Sequence, residues 1–160
     1  MAYPAVAVAN FFITKAKNSS QDLSPMKLLK LVYLAHGWYL ALEQRALIDE
    51  PIVAWQFGPV VESLYHEFKH YGNDKVTDLV DIENNEAVTA LGNDKVALAI
   101  LDRVWEIYGS YTAIQLSKLT HEKGSPWDIA WHAEDGKNNR NHCIQNYLIQ
   151  EYYTKQATQH

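Results

Sequence analysis

His66-Glu67-Phe68-Lys69-His70 spells HExxH. On a helix this spacing sets two imidazoles one turn apart with a carboxylate beside them, the arrangement zinc hydrolases use to hold the metal and activate its water. Three features argue against that chemistry here. A helical wheel puts His66 and His70 opposite Leu64, Phe68 and Tyr71, hence toward solvent, whereas a catalytic pair must face a shaped cleft. The metzincin continuation lacks its Gly and third His, with Val76 at the latter's place. A Glu ligand from a following helix would have to be Glu83 or Glu86, both in the stretch with the weakest helical pattern. A solvated Glu62–His66–His70 stripe is the better reading, with no metal, no cofactor and no enzymatic activity expected.

Thr120-His121 followed by Pro126-Trp127 is the next candidate. A lone His without a partnered carboxylate or nucleophile is not a site, and its ring more often bonds a backbone or hydroxyl group at a helix end. Cys143 next to His142 suggests a thiol–imidazole pair, but helical neighbours point about 100° apart. A structural Cys fits better. No phosphate-binding glycine loop or nucleophile elbow is present.

The elements that must position these residues follow from pattern. Pro4 opens a helix to about Lys17. Ser24 has the position of an N-cap, with Pro25 as first helical residue and Leu23 and Leu28 spaced as a hydrophobic staple. The helix Pro25–Leu42 is apolar nearly all round, which marks a central, buried element. Gly37 within it implies close approach of another backbone. Leu47–Ile48, a turn at Asp49-Glu50-Pro51, and Ile52–Gln56 read as a small hairpin near residues 46–56. Gly58-Pro59 ends it and opens a helix to about Tyr71, stopped by Gly72. Residues 73–92 read as loop with a short helix around Glu86–Leu91. Asn93 caps a helix whose face carries Val96, Ile100, Leu101, Val104, Ile107 and Tyr108. Thr112 and Gln115 form a capping box for a helix to about Lys123, Ser125-Pro126 starts a short one, and the last spans about Cys143–Thr154. The expected fold is mostly α: a single multi-helix domain, residues 1–160, of about six helices and one hairpin.

Composition agrees. Apolar residues make up 48% and charged residues 21% of the 160, the balance of a globular domain. Five Trp and ten Tyr are a large apolar payload for one domain, part of which suits a binding face. The net charge is −5. Residues 1–45 carry five basic and two acidic groups, and residues 46–110 carry four and twelve. An acidic chain without a basic arm is a poor autonomous nucleic-acid binder. A lone cysteine fits the reducing cytoplasm. The apolar opening Ala2–Ile13 reads as an amphipathic helix rather than a signal peptide, and no apolar stretch approaches the roughly 20 residues that span a bilayer.

Four strings in order carry a family resemblance. SPMKLLKLVYLAHGW (Ser24–Trp38), EPIVAWQFGPVV (Glu50–Val61), LYHEF (Leu64–Phe68) and Thr120-His121 through Pro126-Trp127 together resemble the SocA-like (Panacea) antitoxin domains. The resemblance spans about residues 5–153 and gives HExxH a mundane origin, since only His70 lies outside the shared pattern. It implies an antitoxin from a bacterial or prophage toxin–antitoxin gene pair, neutralising a cognate toxin by direct binding. The alternative it implies is an adaptor that hands the toxin to an ATP-dependent protease. Trp55, Gln56 and Phe57, on an irregular turn, are the first candidates for toxin contact, because binding residues concentrate on such segments; the bland alternative is that Trp55 and Phe57 plug the core. Lys27 and Lys30 on the apolar helix are the second, the bland alternative being that they snorkel.

Overall fold

The computed structural model describes residues 2–83 and 85–159. Helix α1 spans Ala5–Asn18 and helix α2 Pro25–Glu43. The start of α2 follows from its sequence. The Ser24 hydroxyl accepts the Lys27 N–H at 3.2 Å, Pro25 needs no partner at the first position, and Leu23 and Leu28 are both buried in the core. Leu28, Leu31, Val32, Tyr33, Leu34 and Ala35 point in every direction around α2 and all are shut off from solvent. Such a helix must be covered on all sides. The covering elements are α1, α3 (Glu62–Phe68), α5 (Lys95–Tyr108), α6 (Ala113–Thr120) and α8 (Asn146–Thr158). Helix α4 (Asn85–Gly92) packs on α1 and α5, and α7 (Pro126–Asp128) runs into a π-helical turn, Ile129–Ala133. Among the described residues no helix is long and apolar enough to cross a membrane.

Gly37 is a point of close approach, but to a side chain rather than a backbone. A Cβ there would lie 2.6 Å from two ring carbons of Tyr153 on α8. The missing side chain lets the Tyr153 ring lie flat on α2.

The hairpin is displaced from its expected place. Strand β1 (Ile52–Trp55) pairs antiparallel with β2 (Gly58–Val60) and, on its other edge, with β3 (Cys143–Ile144). The turn is therefore Gln56-Phe57, not Asp49–Pro51. Leu47 and Ile48 instead run beside the N-terminus: the Tyr3 N–H donates to the Leu47 carbonyl at 2.8 Å, and Tyr3 bridges Ile48 in parallel. Glu50 is drawn away from any tight turn because its carboxylate accepts the Ala5 N–H at 3.0 and 3.2 Å. It thus fills a capping role that Pro4 lacks the side chain to fill.

Other boundaries shift for similar reasons. Gly58-Pro59 belongs to an edge strand, where proline is tolerated, so the next helix begins at Glu62 and finishes in a 3-10 turn, Lys69–Tyr71. The chain at Cys143 is strand, because β1 offers an open edge. The last helix begins at Asn146. The cap of α5 is Asp94, which accepts the Ala97 N–H at 3.0 Å, and not Asn93. Its buried face accordingly includes Ala97, while Val96 and Ile107 are exposed. The Thr112–Gln115 capping box forms as expected, though α6 ends at Thr120.

Candidate functional site

The HExxH residues do not assemble a site. His66, Glu67 and His70 are all exposed. His70 lies beyond the last α-helical turn, against the ring of Tyr71, while His66 lies 3.4 Å from Glu62. Among the described residues no group of three His, Cys, Asp or Glu is placed to hold a metal ion. Purified protein is expected to carry only substoichiometric zinc by elemental analysis, and His70→Ala is expected to leave melting and partner binding unchanged. Stoichiometric zinc that His70→Ala releases together with function would overturn the non-enzymatic reading. His142 and Cys143 also stay apart. His142 pairs with Glu134 at 2.9 Å, whereas Cys143 is half-buried on β3, its thiol pushed up by burial and then by Glu134. Such a thiol is a poor nucleophile.

Side-chain hydrogen bonds from several distant elements converge on the 55–59 turn instead. The Trp55 carbonyl accepts the Trp127 indole N–H at 2.6 Å. The Gln56 carbonyl lies 3.1 Å from His121 Nε2, and the Phe57 carbonyl accepts the Ser117 hydroxyl at 3.3 Å. The Pro59 carbonyl accepts the Lys30 ammonium at 3.0 Å. On the other side, the Trp55 indole donates to Asn141 Oδ1 at 2.8 Å. Side chains from α2, α6 and α7 thus hold one short turn by its carbonyls, and the 141 loop holds the Trp55 ring. Loop carbonyls tied by protein rather than water fix the backbone before any partner arrives.

Each holder has a local reason for its place. Ser125 caps α7 through the Asp128 N–H and Pro126 fills the first position, which turns Trp127 inward, 6% exposed. The π-helical turn that follows stacks Trp131 on Trp127 at 5.5 Å and 16°. His121, the C-cap of α6, is clamped through Nδ1 by the Ser117 carbonyl at 2.6 Å and packs on the Trp127 ring. The expectation that His121 bonds a backbone group at a helix end holds. Its Nε2 also reaches across 65 positions to the turn, a contact that no local pattern signals.

On this rigid base the three candidate residues differ. Phe57 is 66% exposed and Gln56 is exposed, while Trp55 is half-buried with its ring edge-to-face on Tyr65 at 5.0 Å. Lys27 and Lys30 do not reach open solvent. Lys27 bonds the Gly109 carbonyl and lies over the Trp105 ring. Lys30 is 4% exposed, and its ammonium sits beneath Gly58, in space that a Cβ there would fill. Burial pushes the Lys30 ammonium down to about 7, because no carboxylate accompanies it.

That shift has a measurable consequence. Below pH 7 Lys30 is charged in both folded and unfolded chains, and the fold bears the full cost of burying the charge. From about 7 up to the ordinary 10.5 the unfolded chain holds the extra proton, so this residue makes stability rise with pH. Between pH 7 and 9 the gain is on the order of 2 kcal/mol. Lys30→Met keeps the stem without the charge. It is expected to melt higher than wild type at pH 7 and to lose that rise. Matching pH profiles of melting temperature in the two proteins would show that the ammonium is solvated.

The strings that were legible in sequence therefore meet at one place: Lys30, Trp55–Pro59, His121 and Trp127. The profile of the antitoxin SocA-like, Panacea domain family matches residues 28–128, which contain all of them. The chain belongs to the SocA-like Panacea antitoxin family. It is 32% identical over 129 residues to Antitoxin SocA of Caulobacter vibrioides (strain NA1000 / CB15N), a match covering 78% of this chain and 69% of that protein. No solved structure matches it significantly. Asn141, Trp131 and the loop around them lie outside the Panacea match, as does Tyr153, so the far wall of the turn is built from residues the family profile does not reach.

Proposed function

We propose that this Panacea-family chain is an antitoxin that neutralises a cognate toxin by direct binding, with the 55–57 turn at the centre of the contact surface. The observation that carries the surface is Phe57. A large aromatic side chain stands in solvent on a turn whose carbonyls are held by Trp127, Ser117 and Lys30, with His121 Nε2 3.1 Å from the carbonyl of Gln56. An exposed aromatic costs solubility and gains nothing for the fold, whereas a rigid, presented aromatic is a good interface anchor. Family membership and the likeness to Antitoxin SocA support the antitoxin role. Occlusion is the mechanism that needs only this one surface.

The test is co-expression with the toxic product of the neighbouring gene, with growth and toxin level followed together. Restored growth, a co-purifying complex and constant toxin level are the expected results. Restored growth with a falling toxin level would replace occlusion by delivery to an ATP-dependent protease. Failure to restore growth or to form a complex would sink the antitoxin reading.

A further inference from the structure

The 55–57 turn is a ridge between two clefts. The first, about 290 Å³, is lined by Met26, Leu29, Trp55, Phe57 and Tyr65, with Lys30 and Lys69 as its charged groups. The second, about 530 Å³, shares Trp55, Phe57 and Tyr65 and adds Trp131, Lys137 and Arg140, with Glu62 and His66 on its rim. Apart from the buried Lys30, the two clefts gather three exposed Lys or Arg side chains, Lys69, Lys137 and Arg140, and a single carboxylate, Glu62, which faces His66. The whole chain has 14 basic and 19 acidic residues. The ridge is therefore a cationic island on an acidic protein. Lys69, Lys137 and Arg140 are exposed, and none of them meets a carboxylate in an ion pair among the described residues.

Aromatic walls next to unneutralised cations define what fits. The walls take apolar side chains, and the cations take carboxylates. Long-range attraction between such a face and an acidic partner speeds encounter and fixes register. We propose that the two clefts seat an acidic, apolar-bearing segment of the protein partner, its apolar side chains against Trp55, Phe57 and Trp131 and its carboxylates against Lys69, Lys137 and Arg140. This rests on the antitoxin reading for the partner's identity but not for the chemistry of the face. Lys137 and Arg140 lie beyond the residues that match the Panacea profile.

The chemistry is tested first with a probe that needs no toxin. Titration of the full chain with 3-phenylpropionate, an aromatic ring bearing a carboxylate, is followed by NMR. The Trp55 and Trp131 indole N–H signals are expected to shift saturably, at least tenfold more tightly than with 3-phenylpropylamine at low salt. Lys137→Glu with Arg140→Glu, both at exposed positions, should abolish the response without changing the melt. Lys95→Glu, exposed on α5 and lining neither cleft, should not affect it. Equal binding of the acid and the amine, or no saturable shift, would overturn the proposal. So would tighter binding of a 20-nucleotide oligo-dT than of a peptide alternating Glu and Leu, which would assign the face to phosphate. With the co-purified toxin, the double variant should bind at least tenfold more weakly at low salt, and the difference should shrink at high salt. Wild-type toxin affinity in that variant would end the proposal while leaving the antitoxin reading intact. Failure of the unaltered chain to restore growth would end that reading, and the probe titration would still decide the face.

Discussion

Phe57→Ala is expected to leave the melting temperature unchanged and to weaken toxin binding by about 2 kcal/mol or more, roughly 30-fold. The first half follows from exposure. With two thirds of its surface already in water, the ring contributes little to the core, and surface truncations of this kind fall within about 0.5 kcal/mol. The second half follows from the rigidity of its support. An anchor whose backbone is already held loses little entropy on binding, so its removal shows nearly in full. Trp55→Ala is the informative contrast. Its ring packs on Tyr65 and its indole bonds Asn141, so truncation should cost on the order of 2 kcal/mol of stability, less than the 3–5 of a full core Trp. Part of its effect on binding would then come through the fold. Gln56→Ala, exposed and polar, tests whether the turn acts through its backbone alone. Wild-type affinity in all three folded variants, measured by calorimetry alongside melting, would remove the turn from the interface.

The sequence made the helices legible because their signals are local. The Ser24 cap and the Thr112–Gln115 box need only a few neighbouring residues, and they form as read. The all-round apolar α2 was equally plain, since burial on every face leaves no other place for it. What failed was pairing at a distance. Leu47–Ile48 and Ile52–Gln56 look like hairpin arms, but nothing local says that Tyr3 takes the first and Cys143–Ile144 the far edge of the second. Glu50 reads as a turn residue because its bond to the Ala5 N–H crosses 45 positions. The candidate turn was visible at Trp55–Phe57, while its holders were not. His121 and Trp127 lie more than 60 positions from the turn, and only tertiary packing brings them to the carbonyls of residues 55 and 56. Lys27 and Lys30 read as surface charges because polarity is the usual mark of exposure. Their burial depends on backbone acceptors, Gly109 and Pro59, that a helical wheel does not contain.

Gly58→Ala is expected to destabilise the fold by about 2–5 kcal/mol, through two separable effects. Gly58 has φ +119°, a conformation that L side chains rarely adopt, and relaxing it would unpair Trp55 from Gly58 at the end of β1–β2. The added methyl would also stand 2.5 Å from the Lys30 ammonium and 3.0 Å from His121 Cε1. The space it would claim is the space in which Lys30 reaches the Pro59 carbonyl and His121 approaches the Gln56 carbonyl. One methyl group thus strains the turn and displaces two of the groups that hold it. Toxin binding should fall even in the fraction that remains folded, because Phe57 is then presented on a loosened backbone. The double variant Lys30→Ala, Gly58→Ala divides the cost. Removing the Lys30 head relieves its part of the steric clash and leaves the φ strain, so part of the loss should return and the two changes should be non-additive by about 1 kcal/mol or more. Full recovery in the double variant would mean that the backbone bears no strain at Gly58. Strict additivity would mean that Lys30 does not lie beneath it, and with that the account of how the turn is held would fail.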